Sequence, residues 1–243
     1  MQSFRAIVNR DRSLSAVPLS VYLLMVVALA GQLLFHAAQP RPVALADALP
    51  HAPKLEALRI ISMGEPVALS KLLMLWLQAF DYQSGVSLSF MDLDPNRLVG
   101  WLERISDLDP KGRYPLLAAS QMYADIPRED TQRIMSEFVL AQFLKDPNQR
   151  WQWLGHITII AKHRLEDLPL ALKYANALAD NATGPDVPTW VGQMPIAILE
   201  DMGELEAARI FIGGLLVSGE VKKEAEINLL KERLEALEKL LSK

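Results

Sequence analysis

The sequence of 243 residues contains no cysteine. This absence excludes disulfide bonds, thiolate catalysis, thiolate metal sites and a lipid anchor on an acylated cysteine. Histidine is scarce as well, with four residues, and only His156 and His163 are placed to share a helix. Seven positions along a helix separate two side chains by about 10 Å, which is too far for one metal ion. The sequence therefore predicts no metal site and no cofactor.

The sequence also lacks the short motifs that identify common enzyme classes. It contains no G-x-x-x-x-G-K-[ST] phosphate loop and no G-x-S-x-G nucleophile turn. Its acidic residues do not follow the spacing of an EF-hand. We predict that the chain has no catalytic residues and is not an enzyme. One alternative stays open, a periplasmic hydrolase of cell-wall glycan in which Glu103 or Glu137 would serve as the acid.

Positive charge is in deficit, because 25 Lys and Arg residues face 29 Asp and Glu residues. Three of the arginines, Arg5, Arg10 and Arg12, precede the first long apolar run, so the rest of the chain is more acidic still. A nucleic-acid partner requires clustered Lys and Arg side chains to displace counterions from phosphates. The charge balance therefore predicts no nucleic-acid partner.

A long apolar run occupies residues 19–38 and contains no formal charge. Twenty helical residues span about 30 Å, which matches the hydrocarbon core of a bilayer. The arginines before the run predict that residues 1–18 form a cytoplasmic tip. We therefore expect a single-pass protein of a bacterial-type inner membrane, with the rest of the chain in the periplasm. The alternative is a signal peptide cleaved near Ala44-Leu45-Ala46.

The run is followed by residues 39–53, in which four prolines predict an extended tether. From Leu55 the apolar residues recur at steps of three and four, which predicts a nearly buried helix that ends near Gly85. We assign residues 54–219 to one helical domain. Residues 220–243 carry a heptad stripe, formed by Ile227, Leu230, Leu234, Leu237 and Leu241. This amphipathic helix either caps the domain or associates with a second copy of itself.

An internal repeat with a step of 37 residues runs through the domain. The pattern D-P-x-x-R-aromatic-x-x-L begins at Asp109 and again at Asp146, and a degraded copy covers residues 185–190. Asp94-Pro95, Asp109-Pro110 and Asp146-Pro147 are each expected to start a helix, with Asp as the N-cap. A second stripe repeats at the same step and comprises Ile134, Phe138 and Ala141, then Ala171, Ala175 and Leu178, then Ala208, Ile212 and Leu215.

The segment from Ala197 to Ala208 (AILEDMGELEAA) resembles the turn of tetratricopeptide repeats, in which a glycine is followed by alanine where two helices cross closely. Residues 168–175 are similar. This resemblance covers about residues 95–217 and implies an all-α stack of helix pairs behind the transmembrane helix. It also implies protein binding, so we expect a membrane-anchored scaffold or assembly adaptor, or alternatively a structural subunit of a larger membrane complex.

The repeated motif supplies the candidate partner-binding residues. Arginine forms charge-assisted hydrogen bonds with carboxylates, and aromatic side chains dominate interface hot spots. The same side chains could instead pack between the helices or bond to neighbouring helix ends. The candidates are Arg113, Tyr114, Arg150, Trp151, Trp153 and Trp190.

Overall fold

The computed structural model describes residues 17–38, 48–83, 86–87, 90–219 and 221–242. Backbone contacts divide the chain into two units, Met1–Leu45 and Ala46–Lys243. The predicted cytoplasmic tip, apart from residues 17–18, and residues 39–47 of the predicted tether lie outside the described residues. The first unit contains helix α1, Leu19–Ala38, in which no side chain is buried. Among the described helices, α1 is long and apolar enough to cross a membrane, with a mean hydropathy of 2.0.

The second unit is helical except for a two-residue antiparallel ladder that joins Tyr82–Gln83 to Val86–Ser87. The prediction of an all-α domain is confirmed at this level. Short 3-10 turns occupy Ala79–Asp81, Phe90–Asp92 and Thr189–Val191, and α5 continues as a π-helix over Ala118–Tyr123. The helices are α2 (Leu55–Ile61), α3 (Pro66–Gln78), α4 (Pro95–Leu108), α5 (Tyr114–Leu117), α6 (Glu129–Phe143), α7 (Pro147–His163), α8 (Leu168–Asn181), α9 (Met194–Asp201), α10 (Leu205–Ser218) and α11 (Glu224–Leu241).

Helices that follow one another in sequence pack against one another. From α6 to α11 each helix contacts the next, while α4 contacts both α3 and α6. Residues 48–53 of the predicted tether pack on α4, because the Leu49 carbonyl accepts from Arg97 Nη1 at 2.7 Å and the Pro50 carbonyl accepts from Trp101 Nε1 at 2.8 Å. The core extends through the unit, with Leu77, Leu102, Leu154 and Tyr174 among its fully buried side chains.

The helix predicted from Leu55 to near Gly85 is wrong in two respects. The chain turns between α2 and α3, where Met63 and Gly64 adopt positive φ angles of 48° and 93°. The predicted burial fails as well, since Leu72 and Leu75 of α3 are 63% and 62% exposed. Gly64 accounts for the break, because glycine enters this backbone region without a steric penalty.

The three predicted Asp-Pro helix starts have different outcomes. Asp94 caps α4 as predicted, since its Oδ1 accepts from the backbone N–H of Asn96 at 2.9 Å. Asp146 precedes α7 with Pro147 at the first helical position, but its side chain makes no capping bond. The prediction for Asp109 is wrong, because Asp109 ends α4 and α5 starts only at Tyr114. Proline favours a turn as readily as a first helical position, so the dipeptide alone does not distinguish the two.

The second stripe of the repeat is correct in two copies and displaced in the first. Ala171, Ala175 and Leu178 are fully buried on α8, and Ala208 and Ile212 are fully buried on α10. On α6, however, Ala141 is exposed. Phe138 is buried as predicted, but the buried positions of α6 that align with the stripe of α8 lie one residue later and are Met135, Val139 and Gln142. The step from α6 to α8 is therefore 36 residues, and the step from α8 to α10 is 37.

The turn that resembles a tetratricopeptide repeat joins two helices as expected. Helix α9 ends at Asp201, Gly203 adopts a φ of 75°, and α10 begins at Leu205. On α11, Leu230 and Leu237 of the heptad stripe are buried in a cluster with Ile212 of α10. Self-association through α11 stays a prediction, and it would have to use the leucines that are exposed, Leu229, Leu240 and Leu241.

Candidate protein-binding site around the start of α7

The six candidate residues lie around the first two turns of α7. Arg150, Trp151 and Trp153 belong to α7 itself. Arg113 and Tyr114 lie where the turn after α4 enters α5, and Trp190 lies in the 3-10 turn before α9. Polar and aromatic contacts join both neighbouring segments to α7 and bring the candidates to one region of the unit.

Arg150 and Trp153 are buried in this region, 8% and 7% exposed. The Arg150 guanidinium donates from Nη1 to the backbone carbonyl of Gln142 at 2.7 Å and from Nη2 to the carbonyl of Pro110 at 2.5 Å. It therefore joins the end of α6 to the turn that follows α4. Since its donors point at backbone oxygens, the primary role of Arg150 is to fix α7 against these two segments.

Arg113 and Tyr114 are exposed, in contrast to their counterparts on α7. Arg113 Nη2 donates to Gln149 Oε1 at 3.2 Å, and the Tyr114 hydroxyl accepts from Gln78 Nε2 at 2.5 Å. Tyr114 is 45% exposed despite this bond. A guanidinium held by one neutral amide keeps donors free for a carboxylate of another molecule.

Trp151 and Trp190 form an aromatic pair on the other side of the start of α7. Their ring centroids are 5.5 Å apart with an interplanar angle of 81°, which is a T-shaped contact. Trp151 is half-buried and Trp190 is 52% exposed. Next to this pair the backbone N–H of Gly184 donates to Asn148 Oδ1 at 2.8 Å. The segment before α9 is thus held against α7 and presents the Trp190 ring to solvent.

A pocket of about 300 Å³ lies between the turn after α4 and the start of α7. Three cationic side chains, from Lys111, Arg113 and Arg150, and one carboxylate, from Asp146, line it. Trp153 contributes to its wall, and the buried Nε1 of Trp153 has no hydrogen-bond partner within the described residues. The pocket is positive in a chain whose net charge is −4. It is therefore suited to an acidic group with an apolar neighbour.

The two carboxylates of the hydrolase alternative lie elsewhere. Glu137 Oε1 accepts from Lys173 Nζ at 2.8 Å and from the Tyr174 hydroxyl at 3.0 Å, so it joins α6 to α8. Burial, followed by the charge of Glu137, raises the pKa of Tyr174, which keeps this hydroxyl protonated as a donor. Glu103 is exposed on α4, and neither glutamate lines the pocket at α7. Within the residues that the structure describes, no group of three His, Asp or Glu side chains is arranged to bind a metal ion.

Sequence reasoning missed the residues that connect the candidates to one another. Polar contacts join Gln78 to Tyr114, Arg113 to Gln149 and Asn148 to Gly184, each at a separation of 36 residues. The recurrence of the motif contained a signal for these partners, since each contact joins residues whose separation is within one residue of the 37-residue step. The sequence alone does not show which side chains at that step face one another.

Comparisons of this chain with protein-family models, with curated proteins and with solved structures found no match.

Proposed function

We propose that this chain is a membrane-anchored scaffold or assembly adaptor that binds another protein through its helical unit. In this proposal α1 spans a bacterial-type inner membrane, residues 1–18 lie in the cytoplasm and the helical unit lies in the periplasm. The apolar surface of α1 supports the anchor, because none of its side chains is buried within the protein. The arginines that precede it support the orientation.

The helical unit acts in this proposal as a stack of helix pairs, similar to tetratricopeptide repeats. Its long-range polar contacts support this, since many of them join residues that are 33 to 39 positions apart, which is close to the repeat step. In such a stack each helix pair contacts the pairs before and after it in sequence, and the stack as a whole leaves an extended surface for a partner. These contacts include Arg133 with Asp167, Lys173 with Glu137, Arg164 with Asp125 and Arg233 with Glu200.

The observation that carries the binding proposal is the positive pocket at α7 together with the exposed side chains of Arg113, Tyr114 and Trp190 near the start of this helix. Arg113 offers unsatisfied guanidinium donors, while Tyr114 and Trp190 offer aromatic surface at low cost in side-chain entropy. Arg150 and Trp153 are buried and form part of the wall of the pocket. The partner that fits this surface is a protein segment with a carboxylate next to an apolar or aromatic side chain.

A photoreactive phenylalanine analogue in place of Tyr114, in the full chain in its native membrane, tests this proposal. We expect irradiation to produce one discrete adduct with another protein, and Arg113→Glu to reduce its yield several-fold by charge repulsion. The matched control carries the analogue at Ile210, which is 64% exposed on α10 and far from the site in sequence. The same adducts from both positions, or none from Tyr114, would contradict the proposal. Recovery of the partner in fixed equal amount with every copy of the chain would instead favour a structural subunit.

A further inference from the structure

Helices α2 and α3 form a bent pair whose inner face packs on the domain. Their axes differ by 108°. On the inner face Leu58, Met74 and Leu77 are buried, and Ser70 Oγ donates to the backbone carbonyl of Ile105 in α4 at 3.1 Å. These contacts fix the pair on the helical unit, so it cannot cross a bilayer as a broken span without leaving α4.

The outer side of the same pair exposes six large apolar side chains to solvent, interspersed with the charged side chains of Glu56, Arg59, Glu65 and Lys71. We call it the corner surface. Met63 lies at the turn and is 90% exposed, and Ile60 is 79% exposed. Soluble proteins rarely leave several large apolar side chains exposed side by side, and such surfaces indicate a protein or membrane contact. The corner surface consists of Ile60, Ile61, Met63, Val67, Leu72 and Leu75.

We propose that the corner surface lies in the lipid interface of the membrane that α1 spans, an inference that rests on the proposed anchor. Chain length favours lipid as the occupant. Leu49 is docked on the helical unit and follows Ala38, the end of α1, by about 11 residues, which reach at most about 40 Å. The length of the tether thus limits how far the helical unit can move from the bilayer, which would give an apolar surface of this unit a high effective concentration there.

The composition of the corner surface also fits a bilayer better than an acidic protein partner. Residues 54–78 carry three basic side chains, from Lys54, Arg59 and Lys71, and two acidic ones, from Glu56 and Glu65, so this segment is slightly positive in a chain that is acidic overall. Basic side chains at the edge of an apolar helix face can extend toward anionic headgroups while the apolar side chains enter the acyl boundary. Trp76, 38% exposed beside Leu72, is a residue type enriched at that depth.

Single-cysteine labelling of the full chain tests this inference, because the native sequence has no cysteine to remove. The chain is reconstituted into vesicles of phosphatidylcholine and phosphatidylglycerol, with a polarity-sensitive fluorophore on Met63→Cys or Leu72→Cys. We expect blue-shifted emission and several-fold stronger quenching by spin-labelled lipid than for the control Ile210→Cys, which has a similarly exposed apolar residue on α10. A third variant, Val27→Cys in α1, shows independently whether α1 lies in the bilayer.

The outcomes distinguish this inference from the anchor on which it rests. Lipid quenching at positions 27, 63 and 72 but not at 210 supports both. Quenching at position 27 alone, with positions 63 and 72 as accessible to aqueous quencher as position 210, overturns the inference and leaves the anchor. No lipid quenching at position 27 overturns the anchor and the inference with it. Protection of position 63 from aqueous quencher without quenching by lipid would show that a second copy covers the surface, and would also overturn the inference.

Discussion

Replacing Arg150 with alanine is expected to lower the free energy of unfolding by about 3 kcal/mol. The guanidinium is 8% exposed and is bonded to the carbonyls of Pro110 and Gln142. Its removal leaves both oxygens without this donor in a buried region, and hydrogen bonds to charged groups are each worth about 1.5–3 kcal/mol. Arg150→Lys should recover only part of the loss, because one ammonium cannot reproduce the planar fork.

The repeat provides a matched control in Arg113, which occupies the same position in the preceding motif. Arg113 is exposed and bonded to the Gln149 side chain, so Arg113→Ala should change the unfolding free energy by less than about 0.5 kcal/mol. Urea denaturation of both variants in detergent, followed by circular dichroism, measures the difference. Equal losses of stability in the two variants would show that Arg150 does not fix α7 as described.

The variant Leu29→Arg is expected to release the chain from the membrane fraction. Leu29 lies near the middle of α1, and an arginine at the centre of a transmembrane helix costs about 2.5–3.5 kcal/mol on insertion scales. A cost of that size shifts the insertion equilibrium about 100-fold. The share of full-length protein that remains in carbonate-washed membranes measures the effect, because carbonate removes proteins bound only at the surface.

The control for this variant is Val217→Arg, which introduces the same charge at an exposed position of α10. Val217 is 88% exposed, so its substitution should leave the membrane fraction unchanged. If Leu29→Arg and the unsubstituted chain are retained equally after the carbonate wash, α1 does not anchor the protein by spanning the bilayer.

The arginine pair shows how far the repeat could be interpreted from the sequence. The motif predicted equivalent positions for Arg113 and Arg150, but Arg113 precedes α5 whereas Arg150 lies in the first turn of α7. The turn that begins at Asp109 supplies the Pro110 carbonyl that Arg150 binds. Arg113 instead bonds forward to Gln149. A repeated sequence motif therefore predicts where a residue lies along the chain. Whether its side chain is buried depends on the segments that pack against it.

Helix α3 shows why periodicity overestimated burial. Apolar residues recur on several sides of this helix, so the pattern indicates a helix but does not select the side that faces the core. Ser70, a polar residue, is 4% exposed, while Leu72 is 63% exposed. The hydrogen bond from Ser70 to the Ile105 carbonyl of α4 explains why this polar side chain faces the core. The membrane contact proposed above would account for the exposed leucines of this helix.

The step of the repeat was determined to within one residue. The sequence predicted 37 residues throughout, but α6 and α8 align at 36, since Met135 and Val139 are the buried counterparts of Ala171 and Ala175. Phe138 and Val139 are both buried, so the burial of Phe138 agrees with a step of 37 residues although the other positions agree with 36. When a connection changes by one residue, the buried stripe of the next helix rotates by about 100°. The burial of one residue is not enough to detect this rotation.

Thiol accessibility from outside the cytoplasmic membrane tests the central claim most directly. Two single-cysteine variants are treated in intact spheroplasts with a maleimide that cannot cross membranes, Asp146→Cys at the pocket and Ile210→Cys on α10. Both native side chains are exposed, and the Asp146 carboxylate makes no capping bond. The account predicts rapid labelling at position 210 and slow labelling at position 146 until a mild denaturant removes the bound partner. Labelling of neither position before lysis would place the helical unit on the cytoplasmic side, and equally rapid labelling of both would show that nothing is bound at the pocket.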